Sequence, residues 1–357
     1  MFSFTNVVHI IIIFQGTLLT AYILFTRKKR TNSELWLATL IGTLSVQMLG
    51  IFLANRDVGS TFFQNLNCIY GFLYGPLIFL YNRSITRTQF KLTRKDLFHF
   101  LPFSMVGLGI IVSNGSMCRP EVYIAYTLHV LLYVCFCFLE VQRYKRVVKD
   151  NYSRLEWLNL GWLQWVFVVF SLIVLVDVAQ FILFLLGINT SFHENVVYLL
   201  ILAAINLLYF NGFSSSRRSF GYNNEDLALS TVLSTRKRIN TSLKENRLLI
   251  IRLEKHLVST ASFKNQNLTI AMLASELDIP KRTLSELIND HYDQHFVDFI
   301  NTYRINCAKE LFMNPTDPKE TILEVLYEVG FNSKSSFNTA FKKKTGLTPS
   351  QFKSKYN

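Results

Sequence analysis

Seven stretches of mainly apolar residues occupy the first 213 positions, at roughly 6–26, 34–54, 62–81, 97–113, 122–141, 162–186 and 192–212. Each is close to the ~20 residues that a helix needs to cross the hydrocarbon of a bilayer. In lipid no water is available to pair backbone groups, so each stretch is expected to be helical. Composition agrees: half of the 357 residues are hydrophobic, mean hydropathy is +0.25 and only 17% are charged, against about 25% in an ordinary soluble domain. A single water-soluble globule is thereby excluded.

Lys and Arg in short loops report orientation, because cytoplasmic loops carry the excess. One set of alternate loops holds sixteen: Arg27 to Arg30, then Arg83, Arg87, Lys91, Arg94 and Lys95, then Arg143, Lys145, Arg146, Lys149 and Arg154, then Arg217 and Arg218. The opposite set holds only Arg56 and Arg119. This asymmetry predicts an N-terminus outside and a cytoplasmic C-terminal part, with the lipid bilayer as a partner. The first stretch has its charges after the apolar run and no evident small-residue cleavage site, so a retained helix is expected rather than a cleaved signal.

Polar residues inside the spans are costly in hydrocarbon and should face the bundle interior. Asp177 in span six is the most conspicuous, with Gln180 three residues on, His129 in span five and Asn206 in span seven as candidate partners. Two readings stand: a pocket that senses a ligand or proton, or interhelical hydrogen bonds that fix packing. Gly71, Gly75 and Pro76 in span three mark a kink or a close helix contact. Five cysteines, Cys68, Cys118, Cys135, Cys137 and Cys307, show no metal-ligand spacing. They read as small apolar residues, with a Cys68–Cys118 disulfide in an oxidising exterior as the alternative.

After Gly212 the run Ser214-Ser215-Ser216-Arg217-Arg218-Ser219 begins a linker over 214–245. From Leu229 a heptad seam appears, with Leu229, Leu243, Ile250 and Leu257 on one line and Val232, Ile239 and Leu253 on the other, broken at Arg236 and Asn246. That pattern suits a two-stranded coiled coil. From Asn246 onward, a helix folding back on its own domain is the favoured reading.

Residues 246–357 read as all-helical. Ile270, Leu273, Ala274 and Leu277 share one helix face, a turn follows at Asp278 to Pro280, and Leu284, Leu287 and Ile288 face inward from a second helix. This is helix-turn-helix spacing. It recurs 52 or 53 residues later: Val325, Leu326, Val329, Gly330 and Phe331 correspond to Leu273, Ala274, Leu277, Asp278 and Ile279. Phe337, Ala340, Phe341 and Gly346 then correspond to Leu284, Leu287, Ile288 and Asp293. The domain is thus an internal duplication. Between the units Phe296, Ile300, Tyr303, Cys307 and Leu311 predict one long helix that holds two recognition helices as a rigid spacer.

The run Ile305 to Lys309, the segment Glu328-Val329-Gly330-Phe331-Asn332-Ser333, Phe337, Phe341-Lys342-Lys343 and Gly346-Leu347-Thr348-Pro349 resemble the C-terminal signature of the AraC/XylS family of transcription regulators. The resemblance covers about residues 246–356, and the joined seven-span region resembles a membrane-bound subgroup. It implies DNA-facing positions at Arg282, Ser285 and Glu286 in the first recognition helix and at Lys334, Ser335, Ser336 and Thr339 in the second. Lys342 and its neighbours add positive charge. Although the net charge is +13, residues 263–357 carry 12 Lys+Arg and 11 Asp+Glu, so the footprint for DNA is local: no acid follows Glu328.

The fold class expected is therefore all-α: a seven-helix transmembrane bundle over 1–213, the linker, and a cytoplasmic DNA-binding domain with two helix-turn-helix units. Neither a phosphate-cradling Gly-rich loop, nor paired His at metal spacing, nor a nucleophile elbow is present, so no enzyme, metal or cofactor is expected. The partners implied are double-stranded promoter DNA, a second copy of the chain, RNA polymerase if the protein activates, and an unidentified signal ligand. The rival reading is a transporter or channel with a regulatory tail.

Overall fold

A computed structural model describes residues 4–26, 31–87, 90–112, 120–153, 160–188, 192–213, 226, 243–315, 317 and 319–356. Its regular structure is helical, with no β-strand among the described residues. The chain divides into two compact units: residues 1–143 with 160–221, and residues 144–159 with 222–357.

The first unit contains α1 (Phe4–Phe25), α2 (Asn32–Ala54), α3 (Ser60–Thr86), α4 (Arg94–Leu97), α5 (Leu101–Val112), most of α6 (Pro120–Asn151), α7 (Gly161–Leu185) and α8 (Phe192–Leu207). Its interior is dense with Leu37, Leu40, Ile41, Ile12 and Tyr81, none more than 2% exposed. Phe14, Leu108, Trp165 and Leu175 face outward and are exposed. So large an apolar exterior would be a liability in water and is what lipid requires.

Among the described residues six helical segments are long and apolar enough to cross a membrane: Phe4–Phe25, Asn32–Ala54, Arg94–Val112, Pro120–Asn151, Gly161–Leu183 and Asn195–Gly212. The sequence reading counted one more, at 62–81. Those residues lie in α3, helical over its whole length, but Gln64, Asn65, Asn67 and Asn82 dilute its apolar character. Two polar side chains of this helix turn inward: Asn82 donates to the Cys137 carbonyl at 3.1 Å, and Tyr74 donates to Gln47. Gly71 and Gly75 allow a close helix contact: a Cβ there would stand 2.5 Å from the Tyr126 ring and 2.6 Å from the Tyr133 ring.

The second unit contains the end of α6 from Tyr144, then α9 (Leu243–Thr260), α10 (Ile270–Glu276), α11 (Lys281–Tyr292), α12 (Phe296–Met313), α13 (Ile322–Glu328), α14 (Lys334–Thr345) and α15 (Pro349–Tyr356). It has two cores that share α12. Phe296, Phe299 and Ile300 pack with Leu273, Leu277, Leu284 and Ile288; Ile305, Ala308 and Phe312 pack with Val325, Phe337, Phe341 and Phe352. Truncating Phe337 or Phe341, both fully buried, to Ala would cost about 3–5 kcal/mol.

Leu253 and Leu257 are buried in the first core, with Ile250 packed against it, so the later half of the heptad seam folds back on its own domain. Leu229, Val232, Arg236 and Ile239 lie outside the described residues, as does Cys118, and the side chains of Cys68, Leu243 and Asn246 are likewise not described.

Candidate nucleic-acid interface

Thr269 opens the first helix-turn-helix by capping α10, its hydroxyl accepting from the Met272 amide at 3.2 Å. Thr321 does the same for α13 and forms a full capping box with Glu324. Both short helices end the same way. Ile279 N–H donates to Ala274 O at 3.0 Å, and 52 residues on Phe331 N–H donates to Leu326 O at 2.9 Å. The turn residues Asp278 and Gly330 both have positive φ, 52° and 94°, and the residues after the recognition helices, Asp293 and Gly346, repeat the match at 51° and 77°. The duplication read from apolar spacing thus extends to backbone conformation. At Gly330 glycine is required twice over, since a Cβ would also lie 2.6 Å from the Lys264 carbonyl oxygen.

On α11 the outward side carries Lys281, Arg282 and Glu286. Lys281 pairs with Asp226, and Arg282 Nε donates to Glu286 Oε1 at 3.0 Å. Its positive charge is therefore compensated from within. Ser285 departs from the expectation that it faces DNA: it shares the inward side with Leu284 and Ile288, is 1% exposed, and its Oγ has no hydrogen-bond partner among the described residues.

On α14 the pattern differs. Ser333 caps the helix, accepting from the Ser336 amide at 3.2 Å, which half-buries Ser336. Lys334, Ser335, Thr339 and Lys342 are exposed. Thr339 donates to its own helix at Ser335 O, 2.9 Å away. Lys334, Lys342 and Lys344 form no ion pair among the described residues, whereas Lys343 pairs with Asp298 of α12 at 2.8 Å. The second helix thus presents uncommitted cations, and the first presents a compensated set.

Three groups that tie the unit together escaped the sequence reading. Arg304 of α12 is 2% exposed and donates to Phe263 O (2.7 Å), Asn265 O (2.8 Å) and Ser153 Oγ (3.2 Å), with its guanidinium 5.6 Å from the Phe331 ring centroid. Ser153 itself donates through Oγ to Leu268 O at 2.6 Å. His295, which precedes α12, is hydrogen-bonded through Nδ1 to Asp150 Oδ1 at 2.7 Å. That carboxylate raises the His295 pKa above the ordinary imidazole value against the lowering effect of burial; Asp298 adds to the rise and Lys149 opposes it. Asp150 and Ser153 are more than a hundred positions from their partners. The only sequence signal was a lone Arg beside the apolar stripe Ile300, Tyr303, Cys307.

The residues singled out within the bundle lie on three helices, His129 on α6, Asp177 and Gln180 on α7 and Asn206 on α8. Asn206 accepts from Gln15 of α1 at 2.9 Å. His129 lies among rings, 5.3 Å from Phe72 and 4.8 Å from Tyr133 between centroids. Asp177 lines a cavity bounded by α2, α3, α6, α7 and α8. No cluster of three or more His, Cys, Asp or Glu able to hold a metal occurs among the described residues.

Residues 273–355 match a family model described as a helix-turn-helix domain. This segment is an AraC-type helix-turn-helix domain. A curated relative from Pseudoalteromonas carrageenovora, described as an uncharacterized HTH-type transcriptional regulator in the cgkA 5' region, is 46% identical over 50 residues, which are 14% of this chain and 27% of the relative. The chain therefore spans about a quarter of that relative's length. Among solved structures, the C-terminal domain of AraT, a response regulator from Geobacillus stearothermophilus, is 25% identical, covering 33% of this chain and 88% of that one at a TM-score of 0.25. A Listeria innocua protein of unknown function is 25% identical, covering 33% of this chain and all of its own at a TM-score of 0.26. The match begins at Leu273, within α10, and takes in both recognition helices of the helix-turn-helix domain.

Proposed function

We propose that the protein is a membrane-bound one-component transcription regulator of the bacterial inner membrane, which binds promoter DNA through both helix-turn-helix units in response to a membrane or extracytoplasmic signal. The observation that carries this reading is the duplication: two units with matching caps, matching left-handed turn residues and a shared spacer, each exposing a basic residue at the start of its recognition helix. The spacer α12 has 18 residues, about 27 Å at 1.5 Å per residue. This suits placing two helices in major-groove segments about 34 Å apart. Arg282 and Lys334 then reach guanine edges or phosphate; Ser335, Ser336 and Thr339 supply short polar contacts; Lys342 adds phosphate contact.

In the same reading α3 is a seventh span. Its 27 residues reach about 40 Å, and Tyr74 and Asn82 on it make hydrogen bonds to neighbouring helices, where lipid does not meet them. Seven crossings put the N-terminus outside and the helix-turn-helix domain in the cytoplasm, in line with the sixteen-to-two distribution of loop cations. α6 supplies a route for the signal, because one continuous helix ends in the residues that hold His295 and Arg304. A second copy of the chain pairs through the segment around Leu229 to Ile239, and RNA polymerase is the further partner if the protein activates.

The test is binding of duplex DNA by the full chain in lipid nanodiscs. Affinity should fall steeply with salt as phosphate counterions are released, and the Arg282→Ala/Lys334→Ala double variant should bind at least tenfold more weakly. Equal binding by that variant would refute the assignment of the recognition helices.

A further inference from the structure

In the first unit, residues 90–101 lead through α4 into α5, and hydrogen bonds to two neighbouring helices hold them in place. Asn32 at the start of α2 donates through Nδ2 to the Phe90 carbonyl at 2.6 Å. Thr93 donates through its amide and its hydroxyl to Asp96 Oδ2 at 2.8 and 2.7 Å, and Arg83 of α3 donates to Oδ1 of the same carboxylate. Asp96 is the one acid of this segment. It is turned inward and buried. What faces outward is of the opposite sign: Lys91, Arg94 and Lys95 are exposed and form no ion pair among the described residues. Beside them Leu92, Leu97 and Leu101 are each about half exposed, and Phe98 is 71% exposed.

Uncompensated cations set among exposed apolar side chains suit neither bulk water nor hydrocarbon. They match the boundary between the two, where apolar groups enter the acyl region and long basic side chains reach back to the headgroups. Arg94 opens the apolar segment Arg94–Val112, so the charges stand at the very end of a membrane helix. A duplex nucleic acid would meet the same cations but has no apolar phase to receive Leu97 and Phe98. Zwitterionic headgroups supply that phase but bring a positive charge with each phosphate. Anionic phospholipid supplies both the phase and the net negative charge.

In the topology proposed above this end of α4 and α5 is cytoplasmic, and a cytoplasmic leaflet that contains anionic lipid attracts juxtamembrane Lys and Arg. We propose that residues 91–101 form a binding surface for anionic phospholipid headgroups of that leaflet. Lys91, Arg94 and Lys95 hold the phosphates, and Leu97 and Phe98 lie among the acyl chains beneath. The bonds to Asn32 and Arg83 set the three cations in advance, so little order has to be imposed when lipid binds. This rests on the membrane reading above and names the lipid class that the bundle selects.

The experiment places the full chain in nanodiscs of equal parts phosphatidylglycerol and phosphatidylcholine, with each lipid in turn carrying a photoactivatable diazirine at the same acyl position. Crosslinked peptides are mapped by mass spectrometry. Phosphatidylglycerol should label residues 91–101 about threefold or more over phosphatidylcholine in about 0.1 M salt. The ratio should fall toward one in about 1 M salt, as the Debye length shrinks from about 10 Å to about 3 Å. Lys91→Gln/Arg94→Gln/Lys95→Gln should remove the excess at this segment; the salt dependence of the unaltered chain gives the answer without any variant. Equal labelling by the two lipids, a preference indifferent to salt, or an excess that survives the triple variant would each overturn the proposal. Displacement of the label by added duplex DNA would assign the patch to nucleic acid and overturn it as well. A chain recovered outside the discs would instead fail the membrane reading, and the proposal with it.

Discussion

Glu286 decides how much charge the first recognition helix offers to DNA. It sits one turn after Arg282 and accepts from it at 3.0 Å, an exposed pair worth a few tenths of a kcal/mol. Phosphate competes easily for an Arg held that weakly. Replacing Glu286 with Gln should therefore strengthen binding to random and specific DNA alike and steepen the salt dependence by about one unit of slope per added phosphate contact. A titration at two salt concentrations checks it. Arg282→Ala or Lys334→Ala should cost about 1–3 kcal/mol on the cognate site if the residue reads a base; equal loss on random DNA assigns it to phosphate. Gly330→Ala tests the turn: a left-handed Ala costs about 1–2 kcal/mol before the clash with the Lys264 carbonyl oxygen. It should lower the unfolding midpoint of the second unit, whereas Gly346→Ala, where no atom lies within 4 Å of the added Cβ, should cost only the backbone part.

At the level of elements, periodicity made most of the second unit legible. Leu273, Leu277, Leu284, Ile288, Val329 and Phe337 are all inside, as their spacing requires. The inward turn of Ser285 was hidden because the resemblance supplied a position and not an orientation. The contacts of α6 were hidden for a different reason: pairings at long sequence separation leave no periodic trace. Asp150 with His295 is such a case, and it is titratable. Its folded-state pKa is raised above the free value of about 6.5, so the stabilisation is complete below that value and is lost as pH climbs through the raised one. Hydrogen exchange across residues 144–153 of the full chain should quicken over that window. His295→Gln should make the exchange rate of this segment independent of pH, apart from the intrinsic chemistry of amide exchange.

For the whole molecule, sequence fixes the order of parts better than their limits. The apolar first part and the duplicated last part were legible from composition and spacing, but the second unit takes in residues 144–159, which no composition shift marks. Likewise the count of spans turned on α3, whose polar residues lower its hydropathy. A reporter active only in the cytoplasm checks the crossings: fused after Gly212 it should be active, and fused within 114–120 it should be silent. The central claim, that a membrane-embedded chain reads promoters with both recognition helices, is tested most directly by crosslinking the full chain to the genome in living cells and sequencing the captured DNA. The account requires discrete promoter sites that vanish in the Arg282→Ala/Lys334→Ala variant while that variant stays in the membrane fraction. An absence of discrete sites, or the same sites retained by the double variant, would contradict it.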